Sequence, residues 1–90
     1  MNKAEMIERV ARDAKITKIQ AAKAIDSIVS LITRALKRGE RTVLVRFGTF
    51  SVKHRKARMG RNIQTGEPLK IPARRVVRFT SSKALKEKIQ

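Results

Sequence analysis

The sequence predicts an α+β chain whose helices and strands are segregated, in the order ααβββα. Three observations predict it. Apolar residues recur at steps of three and four up to Leu36, then shift to a continuous or two-residue pattern from Thr42. A long stretch after Val52 lacks regular apolar alternation, although the chain on both sides of it reads as strand. Charge is unevenly placed: residues 1–40 hold 9 basic and 5 acidic side chains, and residues 41–90 hold 14 and 2.

The first helix is announced by Asn2, a capping residue, with Glu5 three positions later. Met6, Ile7, Val10, Ala11 and Ala14 then hold one face for about three turns. Thr17 and Gln20 make a capping-box pattern for a second helix, with Ile16 placed as a staple residue. Ala21, Ile25, Ile28, Val29, Ile32, Ala35 and Leu36 form its stripe, which Ala22, Ala24 and Leu31 widen. Lys37 and Arg38 suit the negative end of the helix dipole, and Gly39 suits the C′ position. The spacing therefore predicts one long helix over residues 18–38. A short turn joins the two helices into a hairpin with a broad apolar face.

Thr42 to Phe47 is a β-branched, apolar run and is expected to be a strand that Gly48 breaks. Beyond it, Phe50 and Val52 alternate with Ser51 and Lys53. Val76, Val77 and Phe79 predict a third strand. Ser81 or Ser82 can cap a closing helix over Lys83–Gln90, with Ala84, Leu85 and Ile89 on its apolar side. The segments Lys53–Gly60 and Gly66–Arg74 can pair as a two-stranded ribbon about a turn at Asn62–Gly66. That ribbon has no apolar face to pack on a core, so it is expected to protrude as an arm over about residues 53–75.

Totals bound the function. At 90 residues the chain forms one small domain, marginal alone, and with no cysteine it has no disulfide to staple it. Oligomerisation is the remaining staple. A single histidine, His54, excludes histidine-rich metal sites, and no cofactor, metal or small-molecule substrate is called for. No apolar run approaches a membrane span, and the charged N-terminus lacks a signal-peptide block, so a cytoplasmic setting is the default. A net charge of +16 argues for a polyanionic partner that meets the second half of the chain.

Between Lys53 and Arg78 stand nine Lys/Arg and one acid, Glu67. A soluble surface normally mixes signs; this one is built to track phosphates. A two-stranded ribbon fits a DNA groove, and arginine suits a narrow minor groove. Ile63, alone at the turn, has two possible uses. It can wedge between base pairs and kink the duplex, or it can pack back on Met59 or Leu69. Phe47, Phe50 and Phe79, the only aromatics, are assigned to the core rather than to base stacking. Glu5, Glu8, Asp13 and Asp26 are helix-surface acids with no cleft to make them catalytic, so the chain does not read as an enzyme.

The stretches Arg46-Phe47-Gly48-Thr49-Phe50, Gly60-Arg61-Asn62-Ile63-Gln64-Thr65-Gly66, Lys70-Ile71-Pro72-Ala73, Phe79 and Lys83-Ala84-Leu85-Lys86 are similar to those of the HU and integration host factor family of bacterial DNA-bending proteins. The resemblance spans essentially the whole chain and is nearer HU. Minor-groove wedging is this family's own mechanism, so the wedge reading is not independent of the resemblance. The resemblance implies an intertwined dimer, homodimeric or heterodimeric. Residues 1–40 supply a helical dimerisation base; a three-stranded antiparallel sheet per chain and two arms embrace double-stranded DNA. It implies architectural compaction of the nucleoid, with bent, nicked or gapped DNA preferred. The alternative is a sequence-specific bender of the integration host factor kind; an RNA-binding or membrane-surface role is weaker.

The implied DNA contacts are Lys53, Arg55, Arg58, Arg61, Asn62, Gln64, Lys70, Arg74 and Arg75 on the arm. Ile63 is the wedge, and Lys83 and Lys86 flank the body; Lys3 is a weaker flank candidate. The sequence departs from the family pattern at Ile63 and Val77, where proline is typical or common, and at Arg46, often glycine.

Overall fold

In the computed structural model, which describes residues 1–90, every helix ends on a chemistry visible in its flanking residues. Helix α1 (Lys3–Ala14) is capped by the Asn2 side chain, whose Oδ1 accepts from Glu5 N at 2.9 Å. It closes on Lys15 in the left-handed region, φ 56°, with Lys15 N donating to Arg12 O and Ile16 N to Ala11 O. That is the Schellman pattern with lysine where glycine is usual. Helix α2 (Lys18–Lys37) opens on the expected capping box. Thr17 N donates to Gln20 Oε1 at 3.0 Å and Gln20 N to Thr17 Oγ1 at 3.1 Å. It closes on a second Schellman pattern with Gly39 at φ 77°, as Gly39 N donates to Leu36 O and Glu40 N to Ala35 O.

Two compact units make up the chain, Met1–Arg34 and Ala35–Gln90. In the first, α1 and most of α2 form the hairpin. Ala11, Ala21 and Ile25 are its buried side chains, and the ion pairs Lys3–Asp26 (2.7 Å) and Glu8–Lys18 (3.6 Å) link the two helices. Small alanines allow close approach, but the rest of the stripe stays open: Ile28, Val29 and Leu31 are all more than half exposed.

The second unit carries strands β1 (Thr42–Leu44), β2 (Gly48–Arg55), β3 (Arg58–Arg61), β4 (Pro68–Ile71) and β5 (Arg74–Ser81), then helix α3 (Lys83–Ile89). Strands β1, β2 and β5 form an antiparallel sheet in the order β1-β2-β5, and β3 pairs only with β4. Ser82 is the cap of α3, its Oγ accepting from Leu85 N.

The strand expected over Thr42–Phe47 ends at Leu44. Val45–Phe47 instead form a turn closed by Phe47 N to Leu44 O at 2.9 Å, with Arg46 at φ 67°. Gly48 does not break a strand; it begins β2. It is buried there, and a Cβ would lie 2.6 Å from the Phe79 ring and from Thr80 O, so only glycine fits. The third strand is longer than Val76–Phe79 suggests. It pairs with β2 from Gly48↔Ser81 to Arg55↔Arg74, so the lowest rungs of the expected arm belong to the sheet.

Residues paired across β2 and β5 share a face, and alternate pairs share the same one. One face holds Phe50, Val52, His54, Arg75, Val77 and Phe79; the other holds Thr49, Ser51, Lys53, Arg55, Arg74, Val76, Arg78 and Thr80. On the first, the Phe79 ring lies 5.0 Å from Phe50 and 5.3 Å from Phe47 in tilted contacts, confirming the three aromatics as a packing cluster. The cluster remains open in one chain, with Phe47 44% and Phe79 43% exposed.

Candidate nucleic-acid interface

The arm has two parts with a break between them. The lower rungs continue β2 and β5; Lys56, Ala57, Pro72 and Ala73 lie outside any ladder; above them β3 and β4 pair from Arg58↔Ile71 to Arg61↔Pro68. Pro72 has no N–H to give a ladder, which helps explain why pairing stops there. Lys53, His54, Arg55, Lys56, Arg58 and Arg74 line a depression at this break.

At the tip, Asn62 organises the turn with its N–H, its carbonyl and its side-chain oxygen. Its N–H donates to Glu67 O (2.8 Å), and its carbonyl accepts from Gly66 N (2.7 Å). Its Oδ1 accepts from Gln64 N (2.9 Å) and Thr65 N (3.4 Å). This is the side-chain turn mimicry for which asparagine is favoured. Gly66 takes φ 73°, and Thr65 Oγ1 accepts from Glu67 N. The result presents Ile63 at 100% exposure. Its packing on Met59 or Leu69 is thereby overturned, since a fully exposed side chain covers neither.

Lys53, Arg55, Lys56, Arg58, Arg61, Lys70 and Arg74 make no ion pair, and neither does Glu67; the five ion pairs of the chain all lie elsewhere. Arg55 and Arg74 even face each other directly across the last rung of the sheet. Like charges opposed in this way destabilise a ladder, and an incoming anion relieves the repulsion. Of the body candidates, Lys83 is loosely paired with Glu87 at 4.0 Å and Lys86 is unpaired. Arg75 differs from its neighbours. Its Nη2 donates to Leu36 O at 2.8 Å and Lys37 O at 3.1 Å.

Two residues join the set. Arg78 shares the face of Arg74, Arg55 and Lys53, and Lys56 sits at the break. Strand parity finds Arg78 from sequence, because 74 and 78 are an even step apart. Lys56 carried no signal beyond its charge. No group of three or more His, Cys, Asp or Glu stands where it could hold a metal ion, and no helix is long and apolar enough to cross a membrane.

A cationic β-ribbon without internal ion pairs, ending in a rigid turn that exposes one apolar side chain, defines a nucleic-acid-binding protein of the α+β class. The chain belongs to the bacterial DNA-binding protein family, whose model matches residues 1–90. It is 49% identical over 89 residues to the DNA-binding protein HU-beta of Pseudomonas aeruginosa and 46% identical to that of Escherichia coli K12. In both comparisons 99% of each chain is covered. Among solved structures it is similar to Anabaena HU in a cocrystal with DNA, with TM-score 0.88 and 42% identity, covering 99% of this chain and 97% of that one. Thermotoga maritima HU is similar at TM-score 0.71 and 32% identity, with both chains fully covered.

Proposed function

We propose that residues 1–90 act as one HU-like unit whose dimer binds double-stranded DNA with little sequence preference, bends it, and so compacts the nucleoid. Residues 1–40 serve chiefly dimerisation, in a homodimer or with a related subunit. The arm enters the minor groove, where Lys53, Arg55, Arg58, Arg61, Lys70 and Arg74 neutralise phosphates and Asn62, Ile63 and Gln64 meet the groove floor. Lys83 and Lys86 take the flanks of the bent duplex. The observation that carries this reading is the complete exposure of Ile63 on a turn that Asn62 holds in place. An apolar side chain presented to water at the end of a cationic ribbon gains by leaving water between two bases.

Low sequence preference follows from the tip. Asn62 Oδ1 is already occupied by two backbone N–H groups, which leaves its side chain only the Nδ2 donor. That donor and Gln64 meet minor-groove acceptors that A·T and T·A pairs share, so neither tells one from the other. Affinity then rests on phosphate contacts and on how easily the duplex deforms.

Titration into an intact duplex, the same duplex with a nick, and an equal-length RNA duplex at two salt concentrations tests the proposal. The nicked DNA should bind tightest and the RNA weakest. Affinity should fall with log salt by about 0.9 for each phosphate neutralised. Equal binding to all three would leave a generic polycation and overturn the bending mechanism.

A further inference from the structure

We propose that Arg75 is a positioning residue that fastens the root of the arm to the C-terminal end of α2, and is not a phosphate ligand like its neighbour Arg74. Strand parity separates the two. Arg75 lies on the sheet face of Val77 and Phe79, opposite His54, whereas Arg74 lies on the face of Lys53 and Arg78. The Arg75 side chain therefore starts on the apolar face and reaches the last turn of α2.

That helix end has acceptors to spare. Main-chain donors already reach Ala35 O (Arg38 N and Glu40 N) and Leu36 O (Gly39 N), while no main-chain N–H reaches Lys37 O. Arg75 Nη2 takes Lys37 O at 3.1 Å and shares Leu36 O at 2.8 Å. A permanent cation there also meets the negative end of the helix dipole. The contact falls one rung below Arg55↔Arg74, where the sheet ladder ends and the break at Lys56–Ala57 and Pro72–Ala73 begins. Below the fastening the ribbon moves with the helix end; above it the tip is free to turn at the break. One side chain thus ties the root of the arm to the helix end. Its consequence for bending rests on the function proposed above; the fastening does not.

The test compares Arg75→Gln and Arg74→Gln in the full-length protein. Without DNA, amide order parameters at residues 53–55 and 74–76 should fall in Arg75→Gln from about 0.85 toward the flexible range near 0.6. Arg74→Gln should leave them unchanged. With duplex DNA, Arg74→Gln should shallow the salt slope by about 0.9 per contact removed, while Arg75→Gln keeps the parent slope. Arg75→Lys keeps the charge but is too short to place a donor where Nη2 stands, so it should loosen the stem at the parent slope; it carries the test if Arg75→Gln does not fold. Unchanged order parameters in Arg75→Gln, or a slope shallowed as in Arg74→Gln, would overturn the proposal. A parent protein without salt-dependent DNA binding would instead overturn the DNA reading, and the DNA-free order parameters would still decide the role of Arg75.

Discussion

Arg46 holds the position at which a turn of this kind asks for glycine. It is the third residue of the turn closed by Leu44 and Phe47, its φ is 67°, and Val45 before it is not in the positive region. That is the type II arrangement, in which a Cβ at the third residue is strained. Left-handed backbone costs an ordinary residue about 1 kcal/mol. Glycine would relieve it; arginine keeps the strain and adds a charge. Arg46→Gly is expected to raise stability by about 1 kcal/mol, a shift of about 4–8 °C in melting temperature for a domain of this size. A thermal melt at fixed protein concentration checks this, and an unchanged or lower midpoint would mean that the turn carries no such strain. Ile63 presents the opposite case: it is fully exposed, so its side chain adds no packing to the free chain. Ile63→Ala should keep affinity for pre-kinked DNA and lose bending of intact duplex. Energy transfer across an end-labelled duplex reads the bend, and an unchanged bend would remove Ile63 from the wedge role.

Among the elements, the helices were the most legible from sequence, because their signals are local. The caps at Asn2 and Thr17, the stop at Gly39 and the start at Ser82 each involve residues within five positions of one another. The β segments were legible in kind but not in extent. Val43, Leu44 and Val45 are alike in being apolar and suited to a strand, so nothing local separates Leu44 from Val45. A residue that does mark the fold here is Gly48, where a Cβ would strike the Phe79 ring, and Phe79 lies far along the chain. The charge of the arm was fully visible, but the fastening of Arg75 to α2 joins residues 38 and 39 positions apart and has no local signature. The tip lies between these cases: its turn residues are plain, and their hydrogen bonds define a prediction for the element. Asn62→Ala removes the acceptor for Gln64 N and Thr65 N and should loosen the whole tip while leaving the β2–β5 rungs intact. Hydrogen exchange at Gln64 and Thr65 should accelerate about tenfold, the equivalent of one lost hydrogen bond of about 1.4 kcal/mol. Unaltered exchange there would place the order of the tip in Gly66 and Glu67 instead.

At the scale of the whole molecule, neither compact unit covers its own apolar surface. In the first, Ala11, Ala21 and Ile25 are the only buried apolar side chains, while Ile28, Val29 and Leu31 face water. In the second, Val43, Val45, Phe47, Val77 and Phe79 are between 43% and 85% exposed, and no large side chain of the chain is fully buried. A chain of 90 residues with no disulfide has little other stability to draw on. Each fully buried Val, Leu, Ile or Phe contributes about 1.5–3 kcal/mol, so covering these residues with a second copy supplies what one chain lacks. Folding and association should then be one event. The melting temperature is expected to rise with protein concentration, by mass action, and sedimentation should give twice 10.2 kDa wherever the chain is folded. Phe79→Ala, which opens the aromatic cluster, should lower the melting temperature and weaken the coupled folding and association of the two chains by about 3 kcal/mol. A melting temperature that stays constant over a hundredfold range of concentration, with the mass of a single chain, would mean that this surface is tolerated in water and that the arm works alone.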